Sequence, residues 1–365
     1  MINSHDKGFT RIYTIHSQKG GVGKTSLALA IAGFAAIHHN KKTLIIDADL
    51  TGTSLADVFN VSDLDQSQYI NELLLAKPSK FGEYTPITSI DSEDLKNSLI
   101  SQFYQNIQGF DDLFYAPGSP CFVDILKIIP LITQEDRLNF FRQRFEDIIV
   151  TAIMNDFEVI IIDLPPGLFG ISTSLLHMII DHVSSQIETE KDRKVSRLNK
   201  ILRIAMEGKS NAALEAHTIF ITTSDRADYR ALFPSLSSML EQNMQLVEKD
   251  NQMWGMDIFL NKTDLASDPV FEFDKIFKDI LTLPKQRRVH RHVVDYLRRR
   301  IAKKGALSCQ YASDFNIDNI LLTIQRLKNI KDIDGEKQGI EKWCYEIGHH
   351  INLLSMSDSD TIWRN

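Results

Sequence analysis

The chain has 365 residues, of which 43% are hydrophobic and 24% charged, and its net charge is −7, which is typical of a soluble globular protein. Its three cysteines, Cys121, Cys309 and Cys344, are far apart and form no C-x-x-C pair, which excludes a zinc site or a disulfide framework of the usual spacing. No apolar run reaches the roughly 18 residues of a membrane span and the first residues lack a signal region, so we expect a cytoplasmic protein.

The first predicted elements are a strand, a glycine-rich loop and a helix. Residues 12–15 form a short apolar run, residues 18–25 read QKGGVGKT, and residues 25–38 are rich in alanine and leucine. Backbone N–H groups of such a loop converge on phosphate oxygens, and the positive N-terminal end of the helix adds to the attraction. In this motif Lys24 contacts the β- and γ-phosphates and the Thr25 hydroxyl binds Mg²⁺. Lys19 is not needed for that cradle and must have a separate role.

Further apolar runs alternate with helical patterns along the chain. Strands are predicted at residues 43–46, 113–116, 159–163, 218–223 and 256–260, and an amphipathic helix at residues 135–155. This alternation predicts an α/β fold of the P-loop NTPase type, a mostly parallel twisted sheet with helices on both faces. Residues 187–211 are strongly charged and are predicted to be a helical insert, either a solvated excursion or a docking surface for a partner.

The loop sequence QKGGVGKT resembles the deviant Walker A loop of the ParA/MinD superfamily of dimeric ATPases, and Gln18 is more similar to the ParA branch. The resemblance implies that Lys19 reaches across a dimer interface to the nucleotide of the other subunit. It implies ATP and Mg²⁺ as cofactors, and we expect residues 1–365 to form a single P-loop ATPase domain. The predicted nucleotide contacts in the loop are Lys19, Gly20, Gly21, Val22, Gly23, Lys24, Thr25 and Ser26.

Acidic residues follow two of the predicted strands. Asp47 and Asp49 come at the end of the second strand, and Asp163 ends the run VIIID before the sequence LPPG. The resemblance makes Asp49 the residue that orients the attacking water, with Asp47 near the metal. Asp163 and the LPPG sequence resemble the Walker B aspartate and the second switch. The predicted catalytic residues are Lys19, Lys24, Asp47 and Asp49, and the predicted metal ligands are Thr25, Asp47 and Asp163.

The sequence at the predicted base site is compatible with either ATP or GTP. Residues 261–264 read NKTD, and N-K-x-D is the guanine signature of many GTPases. Deviant Walker A ATPases also place an asparagine here, where it contacts adenine. We favour ATP because the loop and both switches resemble the ATPases. The predicted base contacts are Asn261, Lys262 and Asp264, with Leu283 and Pro284 expected at the end of a later strand.

A basic segment spans residues 285–304, with nine lysines and arginines and one acidic residue, Asp295. Apolar residues recur there every four positions, which predicts a helix with an apolar seam and cationic flanks. Such flanks attract nucleic-acid phosphates without reading sequence, as in ParA relatives. A solvated basic face and contact with an anionic membrane or another partner are the alternatives. The predicted DNA contacts are Lys285, Arg287, Arg288, Arg291, Arg298, Arg299, Arg300, Lys303 and Lys304.

Residues 339–354 form a second amphipathic stretch, which completes a C-terminal helical region predicted over residues 285–365. MinD relatives end in a membrane helix rich in lysine and arginine. This stretch has one lysine, so we expect it to pack on the core.

The predicted function is a ParA-like ATPase that dimerises with ATP, binds DNA non-specifically and resets by slow hydrolysis stimulated by a partner protein. Such a switch partitions DNA or positions cargo, and with DNA bound it would be nucleoid-associated. Three alternatives stay open: a MinD-like positioning ATPase on a membrane, a related GTPase, and a nucleotide-gated component of a multi-protein system.

Overall fold

The computed structural model describes residues 9–50, 55–59, 69–75, 105–107, 109–133, 135–168, 170–187, 196–205, 213–248, 254–263, 268–310, 316–329 and 339–351. Within these ranges eight strands form one sheet in the order β3-β4-β2-β5-β1-β6-β7-β8. The strands are β1 (Phe9–His16), β2 (Thr43–Asp47), β3 (Gln105–Asn106), β4 (Leu113–Ala116), β5 (Val159–Asp163), β6 (Ala213–Thr223), β7 (Trp254–Thr263) and β8 (Leu307–Gln310).

Strand pairing is mostly parallel. β2 pairs in parallel with β4 and with β5, and β7 pairs in parallel with β8. The short β3 pairs antiparallel with β4 at one edge. The predicted α/β class is therefore confirmed, and the six predicted strands are all present, whereas β3 and β8 were not predicted.

Helices connect most of the strands. They are α1 (Lys24–Gly33), which continues as a π-helical turn (Phe34–His38), α2 (Leu55–Val58), α3 (Ile70–Leu75), α4 (Phe122–Thr133), α5 (Glu135–Met154), α6 (Ile171–Ile187), α7 (Arg197–Ala205), α8 (Arg226–Glu248), α9 (Pro269–Ile280), α10 (Arg291–Lys304), α11 (Ile320–Asn329) and α12 (Gly339–Ile351). None of those described is long and apolar enough to cross a membrane.

Two predictions for the region around residue 283 are wrong. Leu283 and Pro284 follow a helix instead of a strand, because Asp268 caps α9 by accepting from the Val270 N–H at 2.9 Å, with Pro269 in the first turn. The helix predicted over residues 285–304 begins only at Arg291. A 3₁₀ turn (Lys285–Arg287) and an extended stretch precede it.

The chain divides into two compact units, of which the first comprises Met1–Tyr13, Asn40–Pro165 and Phe169–Ala216. Here β2 and β5 are buried along their whole length, as expected for parallel strands covered on both faces. Helix α7, the described part of the predicted insert, packs on α5. Its Arg197 guanidinium contacts the carboxylates of Glu146 at 2.8 Å and Asp147 at 2.7 Å, so this part of the insert is docked within its unit.

The second unit comprises Thr14–His39, Pro166–Leu168 and His217–Asn365. Helix α1 is buried on nearly all sides and packs against α11 and α12. The apolar side of α12 is buried, with Trp343, Cys344 and Ile347 almost inaccessible. This confirms the expectation that the C-terminal amphipathic stretch packs on the core, for the residues that the structure describes.

Candidate functional site

The glycine-rich loop lies in the second unit, between β1 and α1. Gly21 and Gly23 have φ angles of 73° and 101°, in the left-handed region that only glycine adopts without strain. Gly23 is also the residue that precedes the first turn of α1, and its carbonyl accepts the Leu27 N–H at 3.0 Å. The loop therefore leads directly into a helix N-terminus, which is the arrangement of a phosphate-binding loop.

Three carbonyl oxygens of the loop are held by side chains of the protein. The Ser17 hydroxyl donates to the Lys19 carbonyl at 2.7 Å, the Lys262 ammonium to the Gly21 carbonyl at 2.8 Å, and the Asn261 amide to the Val22 carbonyl at 2.8 Å. In a trans peptide the C=O and the next N–H point in opposite directions. The N–H groups of Gly20, Val22 and Gly23 are thus turned away from these donors, as a cradle for phosphate oxygens requires.

Lys19, the additional lysine of the loop, contacts an acidic residue of α8. Its ammonium lies 3.0 Å from Oδ1 of Asp228, and its side chain is 42% exposed. The other Asp228 oxygen accepts from the Thr223 hydroxyl at 2.5 Å. Asp228 is thus fixed from β6 while Lys19 is half accessible, so this pair holds the lysine in place without burying it.

Lys24, Thr25 and Ser26 begin α1. Lys24 and Ser26 are buried, and Thr25 is half-buried. His16, the last residue of β1, is fully buried and stacks on Phe220 of β6, with ring centroids 5.3 Å apart. Burial, assisted by the Lys24 charge, lowers the pKa of His16 to about 3. His16 is therefore neutral at physiological pH and adds no positive charge beneath the loop.

The predicted base residues differ in burial and in whether they contact the loop. Asn261 is 4% exposed, and its Oδ1 accepts from the Trp343 indole N–H at 3.2 Å while its Nδ2 bonds to the loop. Lys262 is exposed and adopts a positive φ of 56°. Leu283 and Pro284 make local backbone hydrogen bonds in the turn after α9, and Asp264 lies outside the described residues.

The predicted acidic residues meet in the first unit. Asp47 and Asp163 are register partners at the ends of β2 and β5, and both are buried. The Tyr115 hydroxyl donates to Asp47 at 3.1 Å, and the Asp49 N–H donates to the other Asp47 oxygen at 3.2 Å. Burial, then the charges of Asp163 and Asp49, raise the pKa of Asp47 well above its usual range.

A magnesium ion fits this pair of carboxylates. Mg²⁺ is commonly bound through one or two carboxylates, with water and substrate phosphates completing its ligands. A divalent cation would relieve the repulsion that raises the Asp47 pKa. Among the described residues no three His, Cys, Asp or Glu side chains converge on one metal position, so the remaining ligands must come from elsewhere. The predicted ligand Thr25 belongs to the second unit.

The basic segment falls into two parts that differ in their contacts. Lys285, Arg287, Arg288 and Arg291 are exposed. Further along α10, the Arg298 guanidinium lies 3.0 Å from Asp274, and Arg300 forms two hydrogen bonds with the buried Asp257, at 2.5 and 3.0 Å. Arg299 and Lys303 are also engaged within the structure. Arg299 and Lys303 are exposed as well, but the first part consists of exposed residues only, and we call it the basic cluster.

Three residues with roles near these sites were not found from the sequence. Trp343 is 82 residues from Asn261, and Asp228 lies within an ordinary helical pattern, so no local signal marks either contact. Tyr115 is an alternate residue of a short apolar strand, LFYA, which reads as core. In each case the partner is set by the tertiary structure.

Comparisons with known proteins agree with the loop and the fold. A family model described as an AAA domain matches residues 10–203, more than half of the chain. No curated protein sequence matches. Similar solved structures include a ParA family ATPase from Chlorobium tepidum, with 17% identity over 92% of this chain and 99% of that chain and a TM-score of 0.47.

Two further structures illustrate the range of similar proteins. The septum site-determining protein MinD of Pyrococcus horikoshii, complexed with Mg-ADP, is 13% identical over 96% of this chain and all of that chain, with a TM-score of 0.46. A plasmid partition protein from Borrelia burgdorferi is 15% identical over 88% of this chain and all of that chain, with a TM-score of 0.41.

Proposed function

Because the chain belongs to the AAA domain family, within the ParA/MinD superfamily of P-loop ATPases, we propose that it is an ATP-driven dimerisation switch. In this proposal the protein binds ATP with Mg²⁺, forms a homodimer, binds DNA non-specifically in that state, and is reset by slow hydrolysis. An activating partner protein would stimulate the hydrolysis. The protein would act in the cytoplasm, on the nucleoid, to partition DNA or position cargo.

The observation that carries the proposal is the loop with its two lysines. Side chains of Ser17, Lys262 and Asn261 hold loop carbonyls, so that neighbouring N–H groups are available to an anion. Lys24 begins the helix behind them, and Lys19 stays half exposed beside Asp228. A phosphate cradle accounts for the three side chains that hold loop carbonyls and for the position of Lys24. Contact with another subunit would require an accessible second lysine, and Lys19 is accessible.

Each residue of the site has a chemical task in this proposal. The loop N–H groups and Lys24 would bind the phosphates and stabilise charge that develops on them. Bound Mg²⁺, held by Asp47 and Asp163, would supply electrostatic stabilisation of the transferred phosphoryl group. Asp49 would orient the attacking water. Lys19 would add a positive charge to the nucleotide of the other subunit.

Nucleotide binding and turnover test the catalytic part of the proposal. We expect Lys24→Ala to lose ATP binding, and Asp49→Ala to bind ATP with unchanged affinity while its turnover falls at least about 100-fold, as for loss of a group that positions a reactant. Titration of wild type and variants with a fluorescent ATP analogue, and phosphate release at saturating ATP, measure both. Wild-type turnover by Asp49→Ala would remove Asp49 from its role.

Thermal unfolding with each nucleotide distinguishes ATP from GTP. Asn261 and Lys262 are the described part of the NKTD sequence, and both contact the loop. If GTP protects the protein against thermal unfolding and ATP does not, the GTPase alternative replaces the ATPase. We expect protection by ATP, because ligands that bind only the folded state raise the unfolding temperature.

DNA binding is assigned to the basic cluster, Lys285, Arg287, Arg288 and Arg291. These side chains are exposed, unlike Arg300. We expect Arg287→Glu/Arg288→Glu/Arg291→Glu, made in Asp49→Ala to hold the ATP state, to weaken duplex DNA binding about 10-fold or more with ATP affinity unchanged. The control for surface charge reversal is Lys275→Glu/Lys278→Glu on α9. Equal DNA affinity of the triple- and double-substituted proteins would exclude the cluster.

The membrane alternative has less support in the structure. A surface-bound amphipathic helix needs an accessible apolar side, whereas Trp343, Cys344 and Ile347 of α12 are buried. Binding of the ATP-loaded Asp49→Ala protein to anionic lipid vesicles, with no binding to DNA, would nevertheless favour the MinD-like alternative. Nucleotide binding with neither DNA nor vesicle binding would favour a nucleotide-gated component of a larger assembly.

A further inference from the structure

We propose that Asn261 is a positioning residue of the phosphate-binding loop and that Trp343 of α12 holds it in place, so that nucleotide binding and the packing of α12 are coupled. The inference rests on the proposed nucleotide binding. It assigns Asn261 and the C-terminal helix a role other than contact with the base, and all the residues concerned belong to the second unit.

A chain of two buried hydrogen bonds joins α12 to the loop. The Trp343 indole N–H donates to Asn261 Oδ1 at 3.2 Å, and Asn261 Nδ2 donates to the Val22 carbonyl at 2.8 Å. Trp343 is 2% exposed and Asn261 4% exposed. Because the amide group is planar, a bond to its oxygen also fixes the direction of its N–H donors. Trp343 therefore determines where Asn261 can donate.

The bond from Asn261 acts on the part of the loop that faces a phosphate. Holding the Val22 carbonyl orients the peptide that carries the Gly23 N–H. The amide also lies close against Gly23, since a Cβ added there would be 2.3 Å from Asn261 Nδ2. A displaced Asn261 would thus allow this peptide to rotate, with loss of a preorganised donor for the anion.

Helix α12 is in contact with the far end of α1 as well. Gly348 packs against Phe34 of the π-helical turn, where an added Cβ would be 2.7 Å from the ring. Single π-helical turns within α-helices often occur at functional sites. The helix that follows the loop is therefore held by α12 at both ends, through Asn261 at the loop and through Phe34 at its last turn.

These contacts argue against Asn261 as a base contact. Its oxygen accepts from Trp343, and one of its two N–H groups donates to the loop. Both polar atoms of the Asn261 amide are thus already hydrogen-bonded, and the residue is only 4% exposed, so little of it is left to offer a base. The residue serves the loop directly and the base only through it.

A matched pair of tryptophan variants tests the coupling. Trp343→Phe removes the indole N–H and keeps an apolar aromatic ring. Trp254→Phe removes a comparable buried bond, from the indole N–H at the start of β7 to the Thr218 hydroxyl of β6 at 3.1 Å. We expect Trp343→Phe to weaken ATP binding about 5- to 10-fold, the effect of one lost hydrogen bond and one unsatisfied buried acceptor, and Trp254→Phe to leave it within about twofold.

Fluorescence of Trp343 gives a second measurement. If Trp343 and Asn261 had only a structural role, Mg-ATP would not change the Trp343 emission. In Trp254→Phe/Trp363→Phe the only indole is Trp343. We expect Mg-ATP to shift its emission, and the shift to disappear when Asn261→Ala is added, at an ATP concentration that saturates both proteins. This test does not require Trp343→Phe to fold.

The outcomes separate this inference from the proposed function. Equal ATP affinity of the two tryptophan variants, or an emission shift that persists without Asn261, overturns the coupling and leaves the ATPase proposal intact. Absence of ATP and GTP binding by the unsubstituted protein overturns both. A double variant, Trp343→Phe/Asn261→Ala, should be no weaker than Asn261→Ala alone, because both substitutions break the same chain of bonds.

Discussion

At the scale of single residues, the pair formed by Lys19 and Asp228 limits how the additional lysine can be used. If Lys19 contacts the nucleotide of another subunit, it must first leave Asp228, from which its ammonium is 3.0 Å away. A half-exposed ion pair of this kind contributes up to about 1 kcal/mol. Asp228 is therefore expected to weaken ATP-dependent dimerisation slightly in the wild-type protein.

Asp228→Asn should tighten the ATP-dependent dimer up to about fivefold, because it removes the competing charge but keeps an oxygen for Thr223. Sedimentation of the Asp49→Ala protein with Mg-ATP, with and without this substitution, measures the effect. Adding Lys19→Ala should abolish the gain. A weaker dimer in Asp228→Asn would mean that the pair belongs to the assembled state.

Asp47 gives a prediction of pH dependence. Its pKa in the folded protein is raised, first by burial and then by Asp163 and Asp49, so this group favours folding least at pH values above its folded pKa. An asparagine side chain at the same position would be neutral at every pH. Asp47→Asn should thus raise the unfolding temperature at pH 7 without Mg²⁺ by about 1–2 °C, roughly what 1 kcal/mol produces in a chain of 365 residues.

The gain from Asp47→Asn should shrink steadily as the pH falls to 4, because the carboxyl is then protonated in the folded chain and about half protonated in the unfolded chain. Thermal unfolding of the wild-type and Asp47→Asn proteins in chelator across pH 4–8 measures the gain. The Asp47→Asn protein should also lose ATP turnover. An equal gain at both pH values would show that the carboxylate charge is not its origin.

At the scale of elements, α10 uses its basic residues for two different purposes. Burial alone would raise the pKa of Asp257, but the Arg300 charge and the His217 hydrogen bond hold it well below the usual range. His217 lies 2.7 Å from the same carboxylate. Arg300 therefore fastens α10 to β6 and β7, whereas the basic cluster, which ends at the first residue of α10, is exposed.

Removing Arg300 should destabilise the protein. Arg300→Ala leaves the buried Asp257 without its main partner, and breaking a buried pair in this way typically costs about 3–5 kcal/mol. Arg291→Ala, at the exposed start of the same helix, should change stability by less than about 0.5 kcal/mol. Urea unfolding compares the two. Equal stability of both variants would show that the Arg300 pair contributes nothing measurable.

The elements differ in how far their sequences could predict them. Long apolar strands such as β5, VIIID, were found because burial on both faces leaves a continuous apolar run. The edge strands β3 and β8 were not predicted from the sequence, because Gln105–Asn106 and the run LSCQ have little apolar content. The apolar residues before Leu283 resembled a strand, although the Asp268-Pro269 start of α9 was a helix signal that the strand prediction overlooked.

The candidate sites show the same limit. The loop, Asp47 and Asp163 are marked by local sequence, because a phosphate cradle and a strand end need particular residues in a particular order. The contacts of Asn261 with Trp343 and of Lys19 with Asp228 depend on residues far away in the chain. No periodicity or motif encodes them. They exist because the fold brings separate strands and helices together.

At the scale of the whole molecule, the proposed DNA binding has to overcome the overall charge. The net charge of −7 repels a duplex, and in the proposal the basic cluster supplies the local attraction. Four phosphate contacts predict that log Kd rises with log salt concentration with a slope of about 3.6, and two clusters in a dimer predict about 7. Binding of Asp49→Ala at about 50–200 mM salt, with and without ATP, measures both slopes. A slope unchanged by ATP would contradict DNA binding by the dimer.

Within the part of the chain that the structure describes, the sheet also ends in short strands, β3 with two residues at one edge and β8 with four at the other. An unpaired strand edge is a template for uncontrolled growth into fibres, and short edges offer little to pair with. Helix α12 additionally packs against β8. Under the proposed ATP-dependent dimerisation such edges are useful, because self-association is then left to surfaces that a bound ligand can control.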